Sequence, residues 1–133
     1  MATVKVSTNK KAKAKVMRQV STGCAFIQAT YNNTIVTVTD LNGNTLAWSS
    51  AGACGFRGPK KATPYAASMI IKTIADKVKD SGLRDVSVFV TGVGSGRDSA
   101  VRALNANGFS ITSIKDLTPL PHNGCRARKA RRV

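Results

Sequence analysis

The hydrophobic pattern changes period along the chain, and the changes mark the elements. From about Val20 the residues read as strand. Cys24, Phe26 and Ile27 lead through Thr30 and Tyr31 as a first strand, and Asn32-Asn33 makes a turn. Thr34 to Thr39 is β-branched throughout and predicts a second strand. Leu41-Asn42-Gly43-Asn44 is a hairpin signal, with Asn-Gly suited to a type I′ turn. Thr45 to Ser50 predicts a third strand with Leu46 and Trp48 on one face, which completes an antiparallel meander. Beyond a glycine-rich loop the period becomes helical. Thr63 is placed to cap, Pro64 suits the first helical position, and Ala67, Ile70, Ile71, Ile74 and Val78 form one apolar stripe that ends before Gly82. That stripe reads as core. Val86 to Thr91 predicts a fourth strand, and Gly92 to Asp98 a tight turn. Asp98 or Ser99 then opens a short helix with Val101 and Leu104 inward, closed by Gly108. Ile111 to Leu117 predicts a fifth strand. A strand, helix and strand in that spacing form a right-handed parallel unit.

Charge divides the chain differently. Its 133 residues carry 21 Lys and Arg against 6 acids, a formal net charge of +15. All six acids are Asp. Residues 1–18 hold Lys5, Lys10, Lys11, Lys13, Lys15 and Arg18 without an acid. Residues 122–133 hold Arg126, Arg128, Lys129, Arg131 and Arg132, again without one. The middle holds ten cations against six acids and resembles an ordinary domain. The organisation expected is a basic arm at 1–18, a globular α/β domain at 19–121 and a basic tail at 122–133. Neither end has an apolar face to bury, so both are expected to be flexible until a polyanion neutralises them. The weaker alternative for the tail is a solubilising role. Nucleic acid is the polyanion indicated, because neither end shows the amphipathic face that an anionic membrane requires. No apolar run reaches the length of a membrane span, and the N-terminus lacks the apolar block of a secretory signal. Three irregularly spaced cysteines, Cys24, Cys54 and Cys125, point to reduced thiols in a cytosol-like compartment.

Three stretches offer chemistry. The loop Gly52 to Lys61 sets Phe56 among Arg57, Lys60 and Lys61, an arrangement in which the ring stacks on an unpaired base while the cations hold phosphates. The competing reading tucks Phe56 into the core. The turn containing Gly92, Gly94 and Gly96 follows a strand and opens a helix, with Asp116 about twenty residues on, which imitates a dinucleotide fingerprint. Its spacing is G-x-G-x-G and not G-x-G-x-x-G, so the nucleotide reading is weak. Backbone N–H groups of Gly94, Ser95 and Gly96, beside Arg97, suit an RNA phosphate instead; a turn that binds nothing is the plain alternative. In the tail, Pro119 and Pro121 favour an extended path, and Asn123-Gly124 turns it. His122 and Cys125 fall far short of a four-ligand zinc site, and no metal or cofactor is expected.

Asp116-Leu-Thr-Pro-Leu-Pro-His-Asn-Gly-Cys-Arg126 resembles the signature of the small-subunit ribosomal protein S-eleven family. Tyr31-Asn-Asn-Thr-Ile-Val-Thr, Trp48-Ser-Ser-Ala-Gly, Lys61-Ala-Thr-Pro-Tyr-Ala-Ala and Gly96-Arg-Asp-Ser-Ala-Val-Arg-Ala-Leu resemble it in the same order, so the likeness covers roughly residues 18–133. Ala127 and Val93 depart from the family, which usually has proline at both places; neither departure removes a cation. The resemblance implies a ribonuclease H-like α/β fold, a five-stranded mixed sheet with two main helices. It implies a structural constituent of the small ribosomal subunit, on the platform. There it would bind 16S rRNA, bridge rRNA helices and border the messenger RNA (Shine-Dalgarno) cleft, beside proteins of the S-seven and S-eighteen types. Its location would be the cytoplasmic ribosome, or an organelle's stroma or matrix. The RNA-facing set it implies is the basic arm with Lys10, Lys11, Lys13, Lys15 and Arg18, then Arg57, Lys60, Lys61, Gly94 to Arg97, and His122, Asn123, Gly124, Arg126, Arg128, Lys129, Arg131 and Arg132. A nuclease of this fold needs strand carboxylates to hold divalent metal. The first predicted strand and the fourth have none, so turnover is not expected. A histone-like packager of duplex DNA fits the charge but not the motifs.

Overall fold

The computed structural model describes residues 19–132. The element order is β1 (Thr22–Ala29), β2 (Thr34–Asp40), β3 (Thr45–Ser50), α1 (Pro64–Val78), β4 (Asp85–Thr91), α2 (Gly96–Ala106) and β5 (Ser110–Asp116). One mixed sheet runs β3-β2-β1-β4-β5. β1 pairs antiparallel with β2, and β2 with β3, which is the expected meander. β1 pairs parallel with β4, and β4 with β5 across α2, which is the expected parallel unit. The basic arm, residues 1–18, lies outside the described residues. No helix of the described residues is long and apolar enough to cross a membrane.

Both helices lie on one side of the sheet and pack against each other. Alternate strand residues meet them: Ala25 and Ile27 from β1, Val36 and Val38 from β2, Val86, Val88 and Val90 from β4. Ile70, Ile71, Ile74 and Val78 of α1 are buried, so the helical stripe is core. Each such side chain contributes about 1.5–3 kcal/mol of burial. The start of α1 follows the sequence: Pro64 occupies its first position, and Thr63 Oγ1 accepts from the Ala66 N–H at 3.3 Å. Gly82 closes the following 3₁₀ turn in the left-handed region, at φ 73°.

The structure corrects the sequence reading at several places, the smallest being β5, which runs Ser110–Asp116 and not Ile111 to Leu117. β1 ends at Ala29, because Thr30 Oγ1 accepts from the Asn33 N–H at 3.1 Å and bends the chain away; Tyr31 is left exposed. The hairpin is not type I′, which needs positive φ at both central residues. Asn42 has negative φ, and only Gly43 of the turn is left-handed, at 91°. Asp40 explains the change, since its Oδ1 accepts from the N–H groups of both Asn42 and Asn44, and Gly43 N–H returns to the Asp40 carbonyl. Leu46 and Trp48 do not share a face. A bulge pairs Val38 with Ala47 but Thr39 with Thr45, so Leu46 is the extra residue. Leu46 and Ala47 are both buried and Trp48 points outward. α2 opens at Gly96, two residues before Asp98, and Val101 on it is only half-buried while Leu104 is wholly buried. Finally, β4 begins one residue early at Asp85 and so includes an acid. Asp85 aligns with Thr22, and Asp40 of β2 with Gly23, so the two carboxylates lie on opposite faces of the sheet.

Candidate nucleic-acid interface

The fold gathers three of the separate basic stretches at the C-terminal ends of β1 and β4. The first is the loop after β3. Gly58–Ala62 forms a 3₁₀ turn carrying exposed Lys60 and half-buried Lys61, with Arg57 extended and exposed just before it. Thr63 donates its hydroxyl to the Lys60 carbonyl at 2.8 Å, which ties the turn to the start of α1. Phe56 is half-buried against the core, and the ring of Tyr65 meets it edge-on, centroids 5.9 Å apart at 75°. Tyr65 is 66% exposed and is therefore the more accessible aromatic beside the three cations.

The second stretch is the glycine turn after β4. Its glycines answer a packing demand. A Cβ at Gly92 would stand 2.0 Å from the Ala29 carbonyl oxygen, and one at Gly94 would stand 2.3 Å from that of Thr30. One at Gly96 would stand 2.6 Å from Thr34 Oγ1, itself buried without a hydrogen-bond partner. The turn is thus pressed onto the end of β1, and Gly94 N–H donates to the Ala29 carbonyl at 3.0 Å. Ser95 has no capping role for α2, because its hydroxyl donates to the Ala62 carbonyl instead. That bond joins the glycine turn to the lysine-bearing turn.

The third is the root of the tail. Arg97 donates to the Gly92 carbonyl and, at 2.6 Å, to Asp116 Oδ2. Asp116 Oδ1 accepts from the Thr118 N–H at 2.9 Å and from the Thr118 hydroxyl, and Thr118 Oγ1 accepts from the Gly92 N–H at 3.2 Å. The Thr118 hydroxyl and Arg97, with the Thr118 N–H adding to them, hold the Asp116 carboxyl far below the usual carboxylate range. Asp116 is thus committed to Arg97 and Thr118 within the chain. The turn, the end of β5 and the first tail residues form one closed ring of hydrogen bonds.

From that root, residues 117–132 run without helix or strand. Asn123 has φ 56°, so the chain turns where Asn-Gly predicted. His122, Asn123, Gly124, Arg126, Arg128, Lys129, Arg131 and Arg132 are all exposed, and none forms an ion pair among the described residues. Arg97, by contrast, is held by two acceptors and has a side chain only 30% exposed. Lys10, Lys11, Lys13, Lys15 and Arg18 lie outside the described residues. Sequence reasoning missed Thr118 and Tyr65. An Asp-x-Thr pattern after a strand is a local turn signal that pointed to Thr118. Among the described residues, no three His, Cys, Asp or Glu side chains come together as a metal site.

Residues 23–132 match the profile of the family described as Ribosomal protein S11. The chain belongs to that family. A small ribosomal subunit protein uS11 from Solibacter usitatus is 56% identical over 132 residues, covering 99% of this chain and 98% of the relative. Proteins of the same description from Borreliella burgdorferi and Psychromonas ingrahamii are each 53% identical, covering 97% and 95% of this chain and 98% of each relative. Ribosomal proteins of this family are structural and not catalytic in kind. The fold implied by the resemblance, a five-stranded mixed sheet with two helices, is the fold observed.

Proposed function

We propose that this chain is a structural constituent of the small ribosomal subunit that binds 16S rRNA through the loop at Arg57 to Lys61, the glycine turn at Gly94 to Arg97 and the tail from His122 to Arg132. The observation that carries the reading is the junction of these segments. Ser95 bonds the turn to the lysine loop, and Arg97, Asp116 and Thr118 bond it to the tail root. Cations far apart in sequence thereby share one rigid base. A folded base with a free cationic extension suits an RNA surface of fixed shape, because phosphate contacts position the protein while the folded part selects the location.

The resemblance to the family supports a finer placement as part of the same proposal. The chain sits on the platform, bridges rRNA helices and borders the messenger RNA cleft, next to proteins of the S-seven and S-eighteen types, in a cytoplasmic ribosome or its organellar counterpart. The arm with Lys10, Lys11, Lys13, Lys15 and Arg18 adds a second electrostatic anchor, and Phe56 supports the ring of Tyr65 at the lysine loop. Competition at fixed salt tests the reading: a platform fragment of 16S rRNA should displace labelled RNA at concentrations where duplex DNA of equal charge does not. Equal displacement by duplex DNA would mean non-specific polyanion binding and would remove the proposal.

A further inference from the structure

The helices leave part of the sheet uncovered. On their side, Val88 and Val90 of β4 are buried, but Ile114 of β5, which aligns with Val88, is 57% exposed. Between α2 and β5 lies a cavity of about 340 Å³, within the range of roughly 300–1,000 Å³ that takes small ligands. Val90, Val101 and Ile114 give it an apolar floor, which is why Val101 is only half-buried. Arg97 forms a wall. Its guanidinium is already held by the Gly92 carbonyl and Asp116 Oδ2. The N–H bonds of a guanidinium lie in its plane, so these two contacts leave its faces free. Exposed Asp98 and Arg102 line the cavity one helical turn apart, and neither forms an ion pair among the described residues.

We infer that this cavity takes the base of one unpaired rRNA nucleotide. The inference rests on the proposed rRNA binding and adds a site to it. Position favours RNA. Arg97 and Asp116 belong both to the cavity and to the ring that roots the basic tail, so an RNA strand held by the glycine turn and the tail passes the cavity mouth. Charge agrees. Arg97 and Asp116 neutralise each other, which leaves Arg102 and Lys115 against Asp98, an excess of positive charge. The lining then separates base from phosphate. A phosphate needs no apolar floor and is repelled by a carboxylate. An unstacked base needs a surface for its faces and a partner for its edge. Val101 and Ile114 supply apolar surface, the guanidinium of Arg97 supplies a plane on which bases stack, and Asp98 accepts from a base N–H. Arg102 is left for the phosphate of the same nucleotide.

Base-specific chemical probing of a platform fragment of 16S rRNA, free and bound to the full chain, tests this. Dimethyl sulfate, kethoxal and a carbodiimide together report on all four bases. The parental chain should protect the base of an unpaired nucleotide. Ile114→Asn removes apolar floor and Asp98→Ala removes the edge acceptor; both positions are exposed, so thermal melts should match the parent, and if one variant melts lower the other decides. Each variant should lose that protection and bind the fragment several-fold more weakly, by about fivefold or more for Ile114→Asn if a stacked base is lost. The hydroxyl-radical footprint of the glycine turn and the tail should stay in place. Asp98→Ala gives the sharpest outcome, because removing an acid from a chain that binds a polyanion tightens binding unless the acid contacts a base. Tighter or unchanged binding by that variant overturns the inference. So does base protection that survives both substitutions, or a parental complex that protects no unpaired base. If the parental chain does not prefer this fragment to duplex DNA, the functional reading fails first and takes this inference with it.

Discussion

Replacing Arg126, Arg128, Lys129, Arg131 and Arg132 together by alanine tests how the tail uses its charge. All five are exposed and none is neutralised by an acid among the described residues, so each is free to displace a counterion from a phosphate. Counterion release gives a slope of log affinity against log salt of about 0.7 per contact on single strands and 0.9 on duplex, so five contacts account for about 3.5–4.5 of the total slope. Between 50 and 200 mM salt the intact chain should then lose about 2–2.7 log units of affinity more than the variant. Filter binding to a 16S rRNA fragment at four or five salt concentrations measures this directly. The RNA site, mapped by hydroxyl-radical footprinting, should stay the same, because the folded base is untouched. A variant with the parental slope would refute the reasoning: the five cations would face solvent, and the tail would be a solubilising extension.

Gly94→Ala should destabilise the chain by about 1–3 kcal/mol through overpacking against the Thr30 carbonyl, whereas Gly52→Ala, whose Cβ meets only Ser50 Oγ at 4.0 Å, should be nearly neutral; thermal melts of both compare them. Asp116 has a lowered folded pKa, so its contribution is present above the ordinary carboxylate pKa of about 3.9 and is lost only as pH falls through the lower folded value. Carboxyl NMR should therefore find Asp116 still ionised at about pH 3, where a free carboxylate is largely protonated, and a titration midpoint in the ordinary range would contradict the ring at the tail root. Tyr65→Ala should weaken rRNA binding by about 1–3 kcal/mol with the salt slope unchanged if the ring stacks on a base. Phe56→Ala should instead lower the melting temperature, since that ring packs against the core.

Local signals carried most of the fold. The β-branched run of β2, the Thr63-Pro64 start and the isoleucine stripe of α1 each state their structure within a few residues. What stayed hidden depends on partners far along the chain. The bulge that separates Leu46 from Trp48 exists because β3 must align with β2, and period-two alternation carries no trace of it. The glycine turn was visible, but its reason was not, because the carbonyls that exclude a Cβ belong to Ala29 and Thr30 on β1. The basic residues of the site were legible as charge alone. Their junction was not, since the Ser95 to Ala62 bond spans 33 residues and the Arg97 to Asp116 pair spans 19. Asp116 suggested a nucleotide fingerprint in sequence; in the fold it serves the tail root.

The most direct test of the central claim is co-sedimentation of the tagged full chain expressed in its host. The chain should run with small ribosomal subunits, in constant ratio to 16S rRNA across the peak, and stay there after nuclease treatment that removes bulk nucleic acid. A chain found at the top of the gradient, or spread across DNA and all RNA in proportion to their charge, would contradict it.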